Sequence, residues 1–124
     1  MQKLGFIFFA GGLGALSRYF LSGVVYRFLH PPFPYGTFIV NILGCFLFGF
    51  IFELADKKVF ISSELKTILL VGFMGAFTTF SSFIFECFQL TKNQEWLFLT
   101  LNFLGQTILG FIFLFLGIIL ARLI

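Results

Sequence analysis

The sequence predicts an all-α membrane protein of four transmembrane helices, the third broken at its centre. Three observations predict it. Of 124 residues, 60% are apolar, only 10% are charged and 23 are phenylalanine, whereas a soluble domain is about half apolar and about a quarter charged. The charges lie in short clusters between long apolar blocks. The third block carries glycines and hydroxyl residues at its middle, where a spanning helix has little use for them. A soluble fold this short would keep much of its surface in water, and here that surface would be phenylalanine. A soluble monomer, a disordered chain and a disulfide-stapled secreted module are excluded.

The first span covers about residues 4–28. Lys3, the uncharged run that follows and Ala15-Leu16-Ser17 imitate a signal peptide with a small-x-small cleavage site. The continuing apolar sequence contradicts that reading. His30-Pro31-Pro32-Phe33-Pro34 ends the helix. The second span covers about 35–52, and the connection 53–66 holds six of the thirteen charges. The third covers about 67–90, a polar turn follows, and the fourth covers about 96–121 without a charge. Each block approaches or exceeds the roughly 20 residues that cross hydrocarbon. Residues 1–124 therefore read as one transmembrane domain with no domain outside the bilayer.

Four spans put both termini on one side. That side holds Lys3, Lys57, Lys58, Lys66 and Arg122, and the other holds Arg27 and Lys92. Five against two is a modest bias toward cytoplasmic termini. The net charge of +3 forms no basic stripe, so nucleic-acid binding is discarded. Cys45 and Cys87 lie in apolar stretches without metal-ligand spacing and read as buried free thiols. Small residues recur at close-packing spacing, in Ala10 with Gly14, Gly11 with Ala15, and Gly72 with Ala76. They fit packing within one subunit, association of subunits, or both.

Polar groups inside a membrane are costly, so those present point to function. Arg18 sits well inside span one, where it either snorkels to an interface or makes an electropositive vestibule for an anion. Glu86, near the end of span three, fits a hydrated vestibule or an interfacial salt bridge better than a proton-coupled site. Asn41, in the middle third of span two, offers either an interhelical hydrogen bond or an NH₂ that replaces water around an anion. Asn102, Gln106 and Gly110 share one face of span four. They read as a polar track in preference to an interhelical zipper, which needs one amide per contact.

The run Gly72-Phe73-Met74-Gly75-Ala76-Phe77-Thr78-Thr79-Phe80-Ser81-Ser82-Phe83 is the strongest feature. A regular helix would need its hydroxyls to bond back to the preceding turn. A helix break is favoured, because Gly75 and Thr78-Thr79 coincide at mid-span, and freed carbonyls there could bind a cation. Phe80 and Phe83 then share a face beside Ser81 and Ser82, and an aromatic ring edge carries positive potential that an anion can contact.

These residues resemble the Fluc/CrcB fluoride channels. The resemblance rests on three ordered motifs: Gly11-Gly12-x-Gly14-Ala15-x-x-Arg18-Tyr19, Pro34-Tyr35-Gly36-Thr37-x-x-x-Asn41-x-x-Gly44, and the run from Gly72 to Phe83. It covers essentially the whole chain. It implies an antiparallel, dual-topology homodimer with two separate pores that passively exports fluoride across the bacterial inner membrane and nearly excludes chloride. It further implies that Asn41 is the pore asparagine, that Phe80 and Phe83 contact fluoride edge-on, and that Ser81 and Ser82 are pore hydroxyls. Arg18 matches the vestibule arginine. Gly75 and Thr78 match the break whose carbonyls, from both subunits, hold a central structural sodium. Ser82 stands where threonine is more usual, and Asn102, Gln106 and Gly110 stand where serine or threonine hydroxyls are common, which leaves the contacts of the track open.

The assignment makes physical sense. Fluoride is strongly hydrated, and burying an ion without compensation is very costly. Amides, hydroxyls and ring edges supply donors without the full charges that would trap it. A small proton-coupled multidrug exporter using Glu86 is the alternative, and a scaffold subunit without transport is a third. An enzyme is the least fitting class, for no nucleophile–base pair or metal constellation appears and the sole histidine, His30, lies in a proline-rich turn.

Overall fold

A computed structural model of the chain describes residues 2–57 and 61–124, nearly all of them helical and none in a strand. Lys58, counted among the charges on the side of the termini, lies outside the described residues. Four stretches are long and apolar enough to cross a membrane: Gln2–Phe28, Tyr35–Asp56, Ser63–Lys92 and Trp96–Arg122. The fold of the described residues is thus all-helical, with four stretches able to cross a membrane.

Helix α1 (Gln2–Phe28) stops where the prolines begin. The turn is closed by an aromatic cluster, with buried Phe33 packed against Tyr35, Phe38 and Phe98. Helix α2 (Tyr35–Asp56) continues a full turn past Phe52. Its end is tied to the end of the last helix, α6 (Trp96–Arg122). Lys57 Nζ donates to the carbonyls of Ala121 and Arg122 at 3.1 and 3.0 Å, and Arg122 Nε meets Glu53 Oε1 at 2.9 Å. An ammonium at a helix C-terminus satisfies carbonyls that have no partner in their own helix and opposes the helix dipole. Helices α2 and α6 touch backbone to backbone: a Cβ at Gly49 would collide with the Leu114 carbonyl, and one at Gly117 with the Phe46 carbonyl.

The third span is built in pieces. Ser62 opens α3 (Ser63–Thr67) by accepting the Leu65 N–H, an N-cap. Residues Ile68–Met74 are wound as a π-helix, and α4 (Gly75–Phe77) follows. Thr78 (φ −83°, ψ 158°) and Thr79 (φ −149°, ψ 113°) have extended backbone. Helix α5 (Phe80–Lys92) then begins, with the Thr79 side chain as its N-cap. The π-helical winding has no counterpart in the sequence reading. It falls where α1 comes closest, since a Cβ at Gly14 would overlap the Phe73 carbonyl and one at Gly72 would lie 2.9 Å from Ala10 Cβ. Ala10, Gly14 and Gly72 therefore pack against one another within the chain. Val40, Met74 and Phe77 form the buried core beside this contact.

Candidate functional site

The extended pair is held by a residue 38 positions away. Asn41 Oδ1 accepts the Thr79 N–H at 2.9 Å, and Asn41 Nδ2 donates to the Thr79 carbonyl at 3.1 Å. One side-chain amide thus replaces the helical partners of a whole residue, as buried backbone groups require. The Thr79 hydroxyl donates to Ser82 Oγ at 3.0 Å and accepts the Ser82 N–H at 3.2 Å, which starts α5. The Thr78 hydroxyl bonds back to the Met74 carbonyl at 3.0 Å. Back-bonding and an extended pair therefore occur together, although the sequence reading set them as alternatives.

This arrangement frees two carbonyls. In an unbroken α-helix the amides of Thr79 and Ser82 would close on the carbonyls of Gly75 and Thr78. Here those amides go to Asn41 Oδ1 and Thr79 Oγ1. Gly75 is exposed, and a Cβ there would meet nothing nearer than the Leu70 carbonyl at 3.8 Å. Carbonyl oxygens are neutral, hard ligands, the kind that suits a hard cation. Among the described residues no group of histidine, cysteine and carboxylate side chains could hold a metal ion.

A cavity of about 450 Å³ opens beside the extended pair, and Asn41, Thr78, Thr79, Phe80, Phe83 and Gln106 line it. Every side chain lining it is uncharged. The two phenylalanines lie 5.8 Å apart between ring centroids but in different settings: Phe80 is 74% exposed and Phe83 is 6% exposed. Phe103 stacks on Phe83 at 5.9 Å and covers a ring face. Phe80 projects outward from the chain.

Ser81 and Ser82 line a second cavity, of about 490 Å³, with Thr37, Glu86 and Gln89. The Thr37 hydroxyl donates to Glu86 Oε1, while Glu86 Oε2 is buried without a hydrogen-bond partner. Glu86 forms no salt bridge among the described residues. Arg18 lines neither cavity, is half-buried, and pairs with no carboxylate among the described residues.

Span four carries a chain of amides. Asn41 Nδ2 donates to Gln106 Oε1 at 2.7 Å, Gln106 Nε2 to Asn102 Oδ1 at 2.8 Å, and Asn102 Nδ2 to Cys87 Sγ at 3.5 Å. Asn102 is fully buried and Gln106 nearly so. Gly110 continues the face, where a Cβ would lie 3.4 Å from Cys45 Sγ. Cys87 is buried, but Cys45 is only half-buried and lines the first cavity, which corrects its reading as a buried thiol. Sequence reasoning names Thr79 only as part of the expected helix break and gives no role to Thr37 or Cys87. Their partners lie 38, 49 and 15 residues away, distances with no periodicity to read.

The class these features define is a multi-pass helical membrane protein whose mid-span polar groups are mostly neutral hydrogen-bonding side chains. The chain belongs to the CrcB-like protein family (Camphor Resistance), whose pattern matches residues 5–118. It is 53% identical over 124 residues to a protein of Solidesulfovibrio magneticus named fluoride-specific ion channel FluC, covering 100% of this chain and 99% of that one. Proteins of the same name from Nitrosococcus oceani and Desulforapulum autotrophicum are 49% and 50% identical, each over 123 residues, 99% of this chain and 98% of the relative. The resemblance drawn from the three motifs is thereby shown, and it sets the chain outside the enzymes.

Proposed function

We propose that this chain is the subunit of a fluoride channel. Two copies, inserted antiparallel in the bacterial inner membrane, enclose two pores and let fluoride leave the cell down its gradient. The observation that carries this reading is the uncharged cavity at mid-span, where amide and hydroxyl donors face two phenylalanine rings. Full-length likeness to relatives named as fluoride channels supports it.

The chemistry follows from the ion. Fluoride accepts strong hydrogen bonds and loses much hydration on entry, so donors must replace water. Asn41, Ser81 and Ser82 provide them, with Gln106 lining the cavity beside Asn41 and buried Asn102 holding Gln106 from behind. Phe80 and Phe83 present ring edges, whose positive potential attracts an anion weakly. Conduction needs sites that bind enough to admit the ion and weakly enough to release it. Neutral donors satisfy both demands, and Arg18 draws anions to the vestibule. Chloride, larger and a poorer acceptor, gains less from the same donors.

Exposed Phe80 and the open face at Gly75 fit the approach of a second copy. The freed carbonyls of Gly75 and Thr78 would hold a structural sodium at the dimer centre. When bound, it supplies fixed positive charge that joins the two subunits and is not transported.

Purified protein reconstituted into fluoride-loaded liposomes tests the reading. Valinomycin should trigger rapid fluoride efflux at an ion-selective electrode. Phe80→Ile and Phe83→Ile should each slow it about tenfold or more, the loss of one aromatic contact. Efflux no faster than from empty liposomes would overturn the proposal.

A further inference from the structure

The hydrogen-bond chain around Asn41 has a direction that only one assignment satisfies. A backbone N–H can only donate, so the Asn41 atom facing the Thr79 amide is its oxygen. Its NH₂ then faces the Thr79 carbonyl and Gln106, so Gln106 presents its oxygen to Asn41 and its NH₂ to Asn102. Asn102 in turn presents its NH₂ to the Cys87 sulfur. Polarity runs from one backbone amide through three side chains.

The count of hydrogens has a consequence. An asparagine NH₂ carries two, and both are spent inside the protein, one on Thr79 and one on Gln106. Yet Asn41 lines the cavity that the proposed pore requires. An anion there can take an Asn41 hydrogen only by displacing one of these acceptors. The Thr79 carbonyl is backbone, fixed by the two-point bridge. Gln106 Oε1 belongs to a side chain that also lines the cavity, and it is the acceptor free to yield.

We infer that Gln106 is the stand-in acceptor for the permeating anion, holding the second Asn41 N–H when no ion is present and surrendering it as the ion passes. Asn102 is a positioning residue, which keeps the Gln106 oxygen turned toward Asn41. The exchange trades one hydrogen bond for another, so the ion gains less on arriving and leaves sooner. A bare N–H aimed into the cavity would hold it longer. The inference rests on the fluoride-channel reading and assigns this chain's span-four amides a part in release.

Single-channel current of the reconstituted protein, recorded across a series of fluoride concentrations, tests it. Gln106→Met keeps the bulk and removes the acceptor. The half-saturating fluoride concentration should fall roughly tenfold, the worth of one hydrogen bond, and the saturated current should fall as well. Asn102→Leu should shift both in the same direction by less. Gln106→Glu keeps an acceptor but adds negative charge, and current should drop at every concentration. Saturated current that falls in Gln106→Met and Asn102→Leu with unchanged half-saturation would mark a merely structural role and overturn the inference. Currents unchanged in both variants would overturn it too. Absence of current from the native chain would instead overturn the channel reading itself.

Discussion

The chain holds two polar assemblies that differ in chemistry. At the ends of α2 and α6 the groups are ionised, with Glu53 against Arg122 and Lys57 on the last carbonyls of α6. At mid-span, Asn41, Thr79, Ser82, Asn102 and Gln106 are all neutral and bonded to one another. The end assembly sits where water can reach it, so charge costs little and contributes little. The mid-span assembly lies in apolar surroundings, where an unpaired polar group is expensive. Charge anchors the helix ends, while neutral donors lie at mid-span, where the proposed pore would run.

Mutations sharpen the contrast, and the largest effect should come from the middle. Asn41→Leu removes three hydrogen bonds and leaves the Thr79 amide without its partner. It should cost about 3 kcal/mol at roughly 1 kcal/mol per bond and bring fluoride flux to background. Thermal unfolding in detergent and liposome efflux measure the two. An active, fully stable Asn41→Leu protein would erase the distinction.

At the helix ends the effects should be smaller and confined to stability. Lys57→Met removes an ammonium from two carbonyls and should lower stability by about 1 kcal/mol, with flux unchanged within a factor of two or so on that account. Arg122→Gln breaks an exposed pair worth about 0.5 kcal/mol, and the difference from the native chain should vanish at high salt. Flux that collapsed in either variant would place function at the end assembly.

How far each region could be read in the sequence follows from the same contrast. The four spans were legible, because long uncharged blocks between prolines and charges admit few other readings. The Asn102 and Gln106 pair was legible as a shared face at spacing four, since that contact lies within one helix. Its direction was not, because the direction is set by the Thr79 amide on another span. Nor was the clasp at Lys57 legible, as it crosses 64 residues to Ala121. The π-helical turn at Ile68–Met74 carries no compositional mark and arises where α1 presses on Gly72 and Phe73. Gly75 and Thr78 were singled out as poor helix material. What the fold adds is the destination of the amides that would have covered their carbonyls.

The central claim is that neutral donors and ring edges at mid-span conduct fluoride in preference to chloride. Efflux of the two anions from liposomes holding the purified chain, in equal concentrations and triggered by the same potassium ionophore, tests it most directly. The account predicts fast fluoride efflux with chloride retained. Equal release of both anions, or release of neither, would contradict it.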